Sequence, residues 1–442
     1  MFATEILAQF GATFDARSVP PAVIHDAKRA VVDWYASVYP GLATPPVERL
    51  IATVADDLDR GKCRLVTGQA ATPRTAALVN GTAAHAAEVD DSFRGAMYHP
   101  GAATIAAALA AGQEVGADGS AFLRAVVVGY EISTRIGVVL GRSHYRYWHN
   151  TGTVGVFGAA AAAACLYRLD AAAFAHALAT AATFAAGLQQ AFRLDSMSKP
   201  LHPGRAAEGG LLAAALAAKG VTGSLDVLDG ENGLGRAMSD GADWSHLGDT
   251  LGTVYHIQGL TFKNHIGCGH VFPAIDGVLA LREQYGLQPD DIERIAVGAY
   301  QAAVDIACYA APASANEARF SIPFMLATAL VHGSVRMRAY APERLADATV
   351  RTLMPRIAVA VDAEIDGRFP AQRAARIEIV CRDGRRLLHF QPNRKGDPED
   401  PLSDADLGAK LLELAAPVIG GARAAALLAR LWDADAAAAL DW

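Results

Sequence analysis

Alanine, leucine and valine recur at spacings of three and four residues from the start of the chain to about residue 260. This spacing predicts amphipathic helices, because positions three or four apart share one helix face. Glycine and Asp-Gly pairs end the helical segments. Three segments are especially rich in alanine: 159–167, 171–187 and 205–219. Because helix separation depends on the side chains at the contact, this part of the chain predicts a bundle of closely packed helices.

The hydrophobic pattern changes near residue 260. Residues 292–300 are rich in the isoleucine, valine and aromatic residues that favour strands. Residues 376–381 and 386–390 flank Asp383-Gly384, a dipeptide typical of hairpin turns. Helical runs lie between the strands, near 273–285, 321–332 and 342–353. The mixture of strands and helices predicts an α+β domain.

A polar, turn-rich run at 391–401 leads back to helical patterns at 404–415 and 419–432. The sequence therefore predicts a mainly α protein with a smaller α+β domain, which agrees with the two or three domains usual for 442 residues. The predicted domains are a large helical-bundle domain built from both chain ends and an inserted α+β lid domain: residues 1–260 with 396–442, and residues 261–395.

Composition narrows the class of protein. Hydrophobic residues make up 52% of the chain and charged residues 19%, which allows a large core and excludes a disordered chain. The formal net charge of −7 argues against nucleic-acid binding, which usually requires a basic excess. The five cysteines show no repeated short spacing, so they predict neither a disulfide framework nor a zinc cluster. The sequence shows neither a leader pattern nor an apolar run of about 20 residues. We therefore expect a cytoplasmic protein without membrane partners.

Histidines lie beside acids or Gly/Pro turns at four places in the chain. The first place runs from His85 through Asp90 and Asp91 to Ser92 and is followed by His99. Paired acids beside histidines, in a stretch rich in turn formers, can supply acid and base groups with shifted pKa values. Asp91 or Ser92 could instead cap a helix.

The second place contains Tyr145, Tyr147 and His149, just before an alanine-rich helix. Small and hydroxyl residues at a helix start expose backbone N–H groups, which bind anions. The glycines that follow at every third position lack the spacing of a phosphate-binding loop and are typical of close helix packing. An anion site at His149 and simple packing are both compatible with this pattern.

The third place holds Lys199, His202 and Arg205 within seven residues. Lys199 and His202 each precede a proline, which predicts a loop that enters a helix near Arg205. A cationic loop can bind a carboxylate, although a solvated basic turn fits the same pattern. Ser196 and Lys199 match the S-x-x-K motif of acyl enzymes, but the S-D-N and K-T-G motifs that accompany it do not occur.

The fourth place holds His265, Cys268 and His270, at the predicted domain junction. Binding sites often lie at such junctions. A metal site would need a fourth ligand, and the spacing matches no standard zinc motif. We therefore predict no metal here, and histidines that orient the substrate or transfer protons.

In their order and spacing, these clusters resemble the MmgE/PrpD family, and the resemblance runs nearly from end to end. Its most specific segments are 80–85, 90–91, 99–101, 149–155, 198–207, 268–270, 273–276 and 400–403. The resemblance implies a large helical domain formed by both chain ends and a smaller α+β lid. It further implies a homodimer, no metal or organic cofactor, and an active site in the cleft between the domains.

The resemblance also implies the site residues. Those that would line the cleft or close over it are Asp91, His99, His149, Lys199, His202, Arg205, His265, Cys268, His270 and Tyr309. We expect Lys199 to neutralise a substrate carboxylate. His149 would be the base or the protonating acid, because the ordinary histidine pKa of about 6.5 is close to working pH. Asp91 and His99 would orient the substrate or pass a proton.

The family includes 2-methylcitrate dehydratases, cis-aconitate decarboxylases and iminodisuccinate epimerases. The resemblance therefore implies a cofactor-independent enzyme that abstracts a proton next to a carboxylate of a small di- or tricarboxylate. A lyase (dehydratase or decarboxylase) is the first expectation and an epimerase the second. A catalytically silent protein that binds a polycarboxylate is the alternative from another class.

Three departures from the family pattern affect this choice. Tyr147 replaces a glycine that many members have two residues before His149, and Tyr145 lies close to it in sequence. These phenols could supply a second acid or base on the opposite face of the reacting carbon, as epimerisation requires. The segment Asn264–Gly267 replaces a Pro-aromatic-Pro stretch common in the dehydratases, and 442 residues is short for a 2-methylcitrate dehydratase. The departures weaken the dehydratase assignment and leave the epimerase open.

Overall fold

The computed structural model describes residues 1–193 and 196–442, which form two compact units. The first unit joins Met1–Phe262 to Ser403–Trp442, and the second comprises Lys263–Leu402. Helices predominate in the first unit, and the second contains a four-stranded sheet with helices. The predicted fold class, mainly α with a smaller α+β part, is confirmed.

The helices of the N-terminal segment are α1 (Ala3–Thr13), α2 (Pro21–Leu42), α3 (Pro45–Thr53), α4 (Pro73–Ala86), α5 (Pro100–Val115), α6 (Gly119–Tyr145), α7 (Asn150–Thr153), α8 (Gly155–Leu166), α9 (Ala171–Ala182), α10 (Leu201–Ala217) and α11 (Leu234–Met238). Those of the second unit are α12 (Phe272–Tyr285), α13 (Gln301–Ile306), α14 (Ala315–Ala318), α15 (Ile322–His332), α16 (Pro342–Leu345), α17 (Ala348–Leu353) and α18 (Ala363–Arg368). The C-terminal helices are α19 (Asp404–Ile419) and α20 (Gly421–Trp432).

Short strands accompany the helices of the first unit: β1 (Leu58–Arg64) with β2 (Ala70–Ala71), and β3 (Ser92–Phe93) with β4 (Leu260–Thr261). The strands of the second unit are β5 (Ile292–Ala299), β6 (Ile357–Val361), β7 (Ala375–Cys381) and β8 (Arg386–Gln391). In the described residues, no helix is both long and apolar enough to cross a membrane.

Helix α8 lies at the centre of the first unit, and every one of its residues is buried. It packs against α5, α6 and α10. Its sequence is almost entirely alanine and glycine apart from Val156, Phe157, Cys165 and Leu166. A helix surrounded on all sides cannot have a polar face, and small side chains let its neighbours approach closely. This arrangement is the tightly packed bundle that the alanine-rich pattern predicts.

Helix α10 begins at Leu201, so the predicted start near Arg205 is wrong. Pro200 is the N-cap and Pro203 lies in the first turn, where a backbone N–H has no partner within the helix and proline is tolerated. His202 and Arg205 are therefore helical residues. The predicted run at 342–353 is likewise divided into two short helices, and Asp347 caps the second through the amides of Thr349 and Val350.

The sheet of the second unit has the order β6-β5-β7-β8. Strands β5 and β6 are parallel, and the other pairs are antiparallel. Strand β7 alternates buried Ile377 and Ile379 with less buried residues, and α12 packs against β7 and β8. The predicted hairpin is confirmed: Val380 pairs with Arg386 across the turn that contains Gly384, whose φ of 88° suits glycine.

Candidate active site

Four histidines of the first unit lie where helices begin or end. His85 lies in the last turn of α4, His99 and His149 are the N-cap residues of α5 and α7, and His202 is in the first turn of α10. Their rings form a connected group. The ring centroids of His85 and His99 are 4.9 Å apart, those of His85 and His149 are 5.4 Å apart, and those of His149 and His202 are 5.2 Å apart. The structure thus gathers residues from three of the four sequence clusters.

Asp90 connects His85 and His99. Its Oδ2 lies 2.7 Å from Nδ1 of His85 and 3.4 Å from Nδ1 of His99. Burial opposes ionisation of Asp90, but the adjacent histidines outweigh burial and hold its pKa well below the usual range. Because Nδ1 of His85 donates to this carboxylate, the basic nitrogen of the neutral ring is Nε2. That nitrogen is buried without a hydrogen-bond partner among residues 1–193 and 196–442.

His99 is oriented by a backbone carbonyl. Its Nδ1 donates to the carbonyl oxygen of Asp91 at 2.6 Å, so Nε2 is the basic nitrogen here as well. The same arrangement, in which an acceptor fixes the tautomer of a histidine, prepares the ring for proton transfer in acid/base enzymes.

His149 and His202 contact each other directly, with 3.0 Å between their Nδ1 atoms. One imidazole must donate to the other, so at least one ring is neutral in this arrangement. Burial, together with the nearby histidines and Lys199, moves the pKa of His149 well below its usual value. For His202, burial with the positive charges of His85 and Lys199 lowers the pKa to about 4. Both rings are therefore neutral bases until an anion approaches them.

Gly187 fixes the backbone beside these two rings. Its carbonyl oxygen accepts a hydrogen bond from the backbone N–H of His149 at 2.9 Å. Its φ is 131°, and a Cβ at this position would lie 3.1 Å from Nδ1 of His202. Glycine therefore provides both the backbone conformation and the space that His202 needs.

Lys199 supplies the cationic group of the cluster. Its Nζ forms an ion pair with Glu88 and lies 4.8 Å from the centre of the Phe192 ring. The side chains of Lys199 and Glu88 are only 16% and 18% exposed, and the Phe192 ring also contacts His149 edge to face. The ammonium is therefore partly desolvated, which strengthens its attraction for a carboxylate.

Asp91 differs sharply from its neighbour Asp90. It is buried, its Oδ1 accepts from the N–H of Gly101 at 3.1 Å, and its Oδ2 accepts from the hydroxyl of Tyr130 at 2.8 Å. Burial, with a further contribution from the negative charge of Asp33, raises the pKa of Asp91 to about 8. Two adjacent carboxyl groups in opposite protonation states can serve as an acid and a fixed anion.

Gly101 explains the His-Pro-Gly sequence at the start of α5. A Cβ at this residue would lie 2.6 Å from the Tyr130 hydroxyl and 3.1 Å from each carboxyl oxygen of Asp91. Replacement of Gly101 would therefore separate Asp91 from its two donors.

The raised pKa of Asp91 has a consequence for stability. Between about pH 4 and pH 8 the unfolded chain has an ionised Asp91 while the folded chain keeps the proton, so the folded state binds more protons. The free energy of unfolding should therefore fall by about 1.4 kcal/mol per pH unit over this window through Asp91 alone. Asp91→Asn removes this dependence, and we expect the variant to gain stability relative to the parent as pH rises to 8 and nothing more above it.

Urea unfolding of both proteins at pH 5 to 9 measures this difference. The exposed residue Asp56 provides the matched control, since Asp56→Asn alters one carboxylate far more accessible to water. A stability difference between Asp91→Asn and the parent that stays constant over the range would show that Asp91 is already ionised in the folded protein.

Three predicted residues stand apart from the group. Arg205 is 69% exposed at its side chain and pairs with Glu208. Tyr147 is 59% exposed and lies under the guanidinium of Arg146 at 5.1 Å. Tyr145 is half-buried at the end of α6. The hydrogen bonds and ring contacts that unite the histidines do not include these three in the described chain, and their catalytic or binding roles stay predictions.

The predicted residues of the second unit form contacts of their own. His265 is buried, and its Nε2 lies 2.7 Å from Oδ1 of Asp276. Nδ1 of His270 lies 2.8 Å from the Tyr300 hydroxyl, and burial with nearby arginines moves the pKa of His270 well below its usual value. Cys268 is buried, and its backbone N–H donates to the backbone carbonyl oxygen of Arg319. Tyr309 is 43% exposed.

Sequence reasoning missed Glu88, Tyr130 and Phe192 as partners of the site. Glu88 follows His85 by three residues, so it lies in the first cluster without a distinguishing signal. Tyr130 is within a helix between two of the clusters, and its contact with Asp91 depends on how α6 packs. Phe192 is an aromatic residue in a polar stretch. Such a residue stands out in the sequence, but its type alone does not indicate a site.

The donor atoms of His85, Asp90 and His99 lie within 4.8 Å of one another, so this group could hold a metal ion. Nδ1 of His85 and Nδ1 of His99 lie in short hydrogen bonds to Asp90 and to the Asp91 carbonyl, so either ring could ligate a metal through Nδ1 only by losing that proton, or else through Nε2. The geometry is that of hydrogen-bonded acid/base groups. With a cation at Lys199, such a group can bind a carboxylate and move a proton at an adjacent carbon.

Comparison with known proteins agrees with this chemistry. The family model described as "MmgE/PrpD N-terminal domain" matches residues 5–247, and the one described as "MmgE/PrpD C-terminal domain" matches residues 265–434. A cis-aconitate decarboxylase-like protein of Aspergillus oryzae is 27% identical over 92% of this chain and 89% of its own length. A cis-aconitate decarboxylase of Homo sapiens is 28% identical over 76% of this chain and 72% of its own.

Proposed function

The chain belongs to the MmgE/PrpD family, and from this membership we propose that it is a lyase of small di- or tricarboxylates, with decarboxylation of cis-aconitate as the first candidate reaction. The relatives named as cis-aconitate decarboxylases support a lyase of this kind. We further propose that the reaction needs no metal or organic cofactor and that the enzyme is a homodimer, as the family resemblance implies.

The observation that carries the proposal is the partly buried group formed by the four histidines with Lys199. It places a partly desolvated cation within contact distance of an aromatic ring that also touches His149. A cation and neutral imidazoles in one partly buried group suit a polyanionic substrate, because carboxylates would raise the histidine pKa values and favour proton uptake on binding.

Decarboxylation of cis-aconitate places specific demands on these groups. The bond between the methylene carbon and its carboxylate breaks, and its electron pair forms a new carbon–carbon double bond. The electron pair of the former double bond takes a proton at the CH carbon, so the products are CO₂ and itaconate with one proton consumed. Negative charge grows on the carboxylate conjugated with that carbon, and a fixed cation there lowers the barrier.

The proposed roles follow from this balance. Lys199 would bind the carboxylate on which charge grows. His149, protonated when the anionic substrate binds, would deliver the proton to carbon, with His202 as its hydrogen-bonded partner. Asp91, with its pKa near 8, would hold a further proton close to His99. The dyad of His85 and Asp90 would keep the rings oriented.

Dehydration of a hydroxy acid is the alternative lyase reaction, with a neutral histidine as the base. The relatives give no support to an epimerase, and the exposed Tyr147 gives that alternative no buried second acid or base. A protein that only binds a polycarboxylate would need neither a proton donor nor neutral imidazoles in contact.

Proton NMR in D₂O tests the proposal. The purified protein is incubated with cis-aconitate, citrate, methylcitrate and iminodisuccinate stereoisomers, in parallel with and without a chelator. From cis-aconitate alone, we expect CO₂ release and itaconate with one deuterium on its saturated CH₂ carbon, and none on its =CH₂ carbon. The chelator should not change this result. A vinylic product from a hydroxy acid would favour the dehydratase. Deuterium exchange with only stereoisomers formed would contradict the lyase, and binding without any reaction would contradict an enzyme.

A further inference from the structure

We propose that Lys410 is a positioning residue for this reaction, which holds the backbone segment that carries Asp90 and Asp91. The inference rests on the proposed function and gives a role to a residue of α19, near the other end of the chain. Lys410 is not among the sequence segments that resemble the family most specifically.

Lys410 is buried between α19 and α2, with only 2% of its side chain exposed. Its ammonium donates to Oδ1 of Asp33 on α2 at 2.6 Å and to the carbonyl oxygen of Val89 at 2.8 Å. An ammonium group at this depth is costly unless it is both paired and hydrogen-bonded. Both acceptors therefore stabilise the buried ammonium, and one of them is the backbone immediately before Asp90.

The chain between α4 and Asp90 makes a tight turn. Glu88 has a φ of 61°, in the left-handed region that non-glycine residues rarely adopt. Its side chain forms the ion pair with Lys199, and the next carbonyl group, that of Val89, is bound by Lys410. Two lysines from distant parts of the sequence thus hold this unusual turn, one on each side.

Lys410 also acts on Asp91 through charge. The groups that face or influence the Asp91 carboxyl are Asp90, Tyr98, Tyr130 and Asp33, with His99 on its backbone carbonyl. The charge of Asp33 raises the pKa of Asp91, and Lys410 is the cation paired with Asp33. Removal of this cation would take away positive charge that offsets Asp33 and make ionisation of Asp91 harder.

Three variants test the role of Lys410. Lys410→Met removes the charge and the two hydrogen bonds to Asp33 and Val89, and it keeps an unbranched apolar side chain of similar length. Lys410→Arg keeps the charge. The double variant Asp33→Asn with Lys410→Met removes both charges of this buried ion pair. The exposed Lys219→Met is the matched control.

With cis-aconitate as substrate, we expect Lys410→Met to lower kcat about tenfold per folded molecule while KM stays within about twofold, because Lys410 is buried away from the substrate. Lys410→Arg should recover most of the loss, and Lys219→Met should have none. If Lys410→Met does not fold, the double variant should still show the loss in kcat, since Val89 still lacks its donor. Wild-type kcat in folded Lys410→Met, or in the double variant where Lys410→Met does not fold, would overturn the proposal.

A second readout does not depend on activity. The pH at which Asp91→Asn stops gaining stability over its parent reports the ionisation of Asp91 in any background. We expect this pH to rise by on the order of one unit in Lys410→Met and to return to or below the wild-type value in the double variant. An unchanged value in both would overturn the inference. If the wild-type protein fails to turn over any acid, the proposed function fails, and this titration still decides whether Lys410 controls Asp91.

Discussion

Replacement of His149 by asparagine is expected to lower turnover of cis-aconitate at least about 100-fold, since general acid/base groups typically contribute 10²–10⁴. The amide of asparagine can occupy the position of Nδ1 and keep the contact with His202, which spans 3.0 Å in the native protein. It cannot deliver or accept a proton at working pH. The variant therefore removes the chemistry of His149 and keeps much of its packing, so that kcat should fall far more than KM rises.

The measurement is steady-state kinetics with the D₂O product analysis. Exposed His246, whose ring pairs with Asp249 on the surface, gives the matched control His246→Asn, which should behave as wild type. His202→Asn should cause a smaller loss if His202 acts through His149 and an equal loss if the two act as one unit. Near-normal kcat in His149→Asn would contradict its assignment as the proton donor.

The sequence predicts best those features that depend on neighbouring residues. The hairpin around Gly384 and the all-buried α8 both follow from local composition. The sequence pattern predicts the start of the helix that includes His202 four residues too late, because proline usually breaks a helix, whereas Pro203 in the first turn is compatible with it. The position of Pro203 in the first turn, and not the mere presence of proline, determines where this helix can begin.

Local sequence identified the histidines and Lys199, but not the contacts that define their chemistry. The contact of Tyr130 with Asp91 and that of Lys410 with Val89 each join a helix residue to the loop after α4, far away in the sequence. Such contacts depend on how the helices pack, which neither spacing nor composition contains. The exposure of Arg205 likewise depends on its position on the helix, and its binding role stays a prediction.

Lys199→Met is expected to lower kcat/KM for cis-aconitate at least about 100-fold. A hydrogen bond to a charged group contributes roughly 1.5–3 kcal/mol, which corresponds to about 10- to 150-fold in affinity for a substrate carboxylate. Any contact that strengthens as charge grows on that carboxylate adds a loss in kcat. Methionine keeps an unbranched apolar side chain of similar length, so the loss isolates the ammonium group.

Binding and catalysis can be separated in this variant. Calorimetry with propane-1,2,3-tricarboxylate, which has no double bond to react, measures the loss of affinity alone, and kinetics with cis-aconitate measures the total. Lys199→Arg keeps the charge and should bind the tricarboxylate better than Lys199→Met. Lys219 is an exposed residue just after α10, and Lys219→Met should match wild type in both assays. Because Lys199 is paired with Glu88 before substrate arrives, Glu88→Gln should release the ammonium and lower KM, opposite in sign to Lys199→Met. Equal affinity of wild type and Lys199→Met for the tricarboxylate would place the carboxylate elsewhere in the cluster.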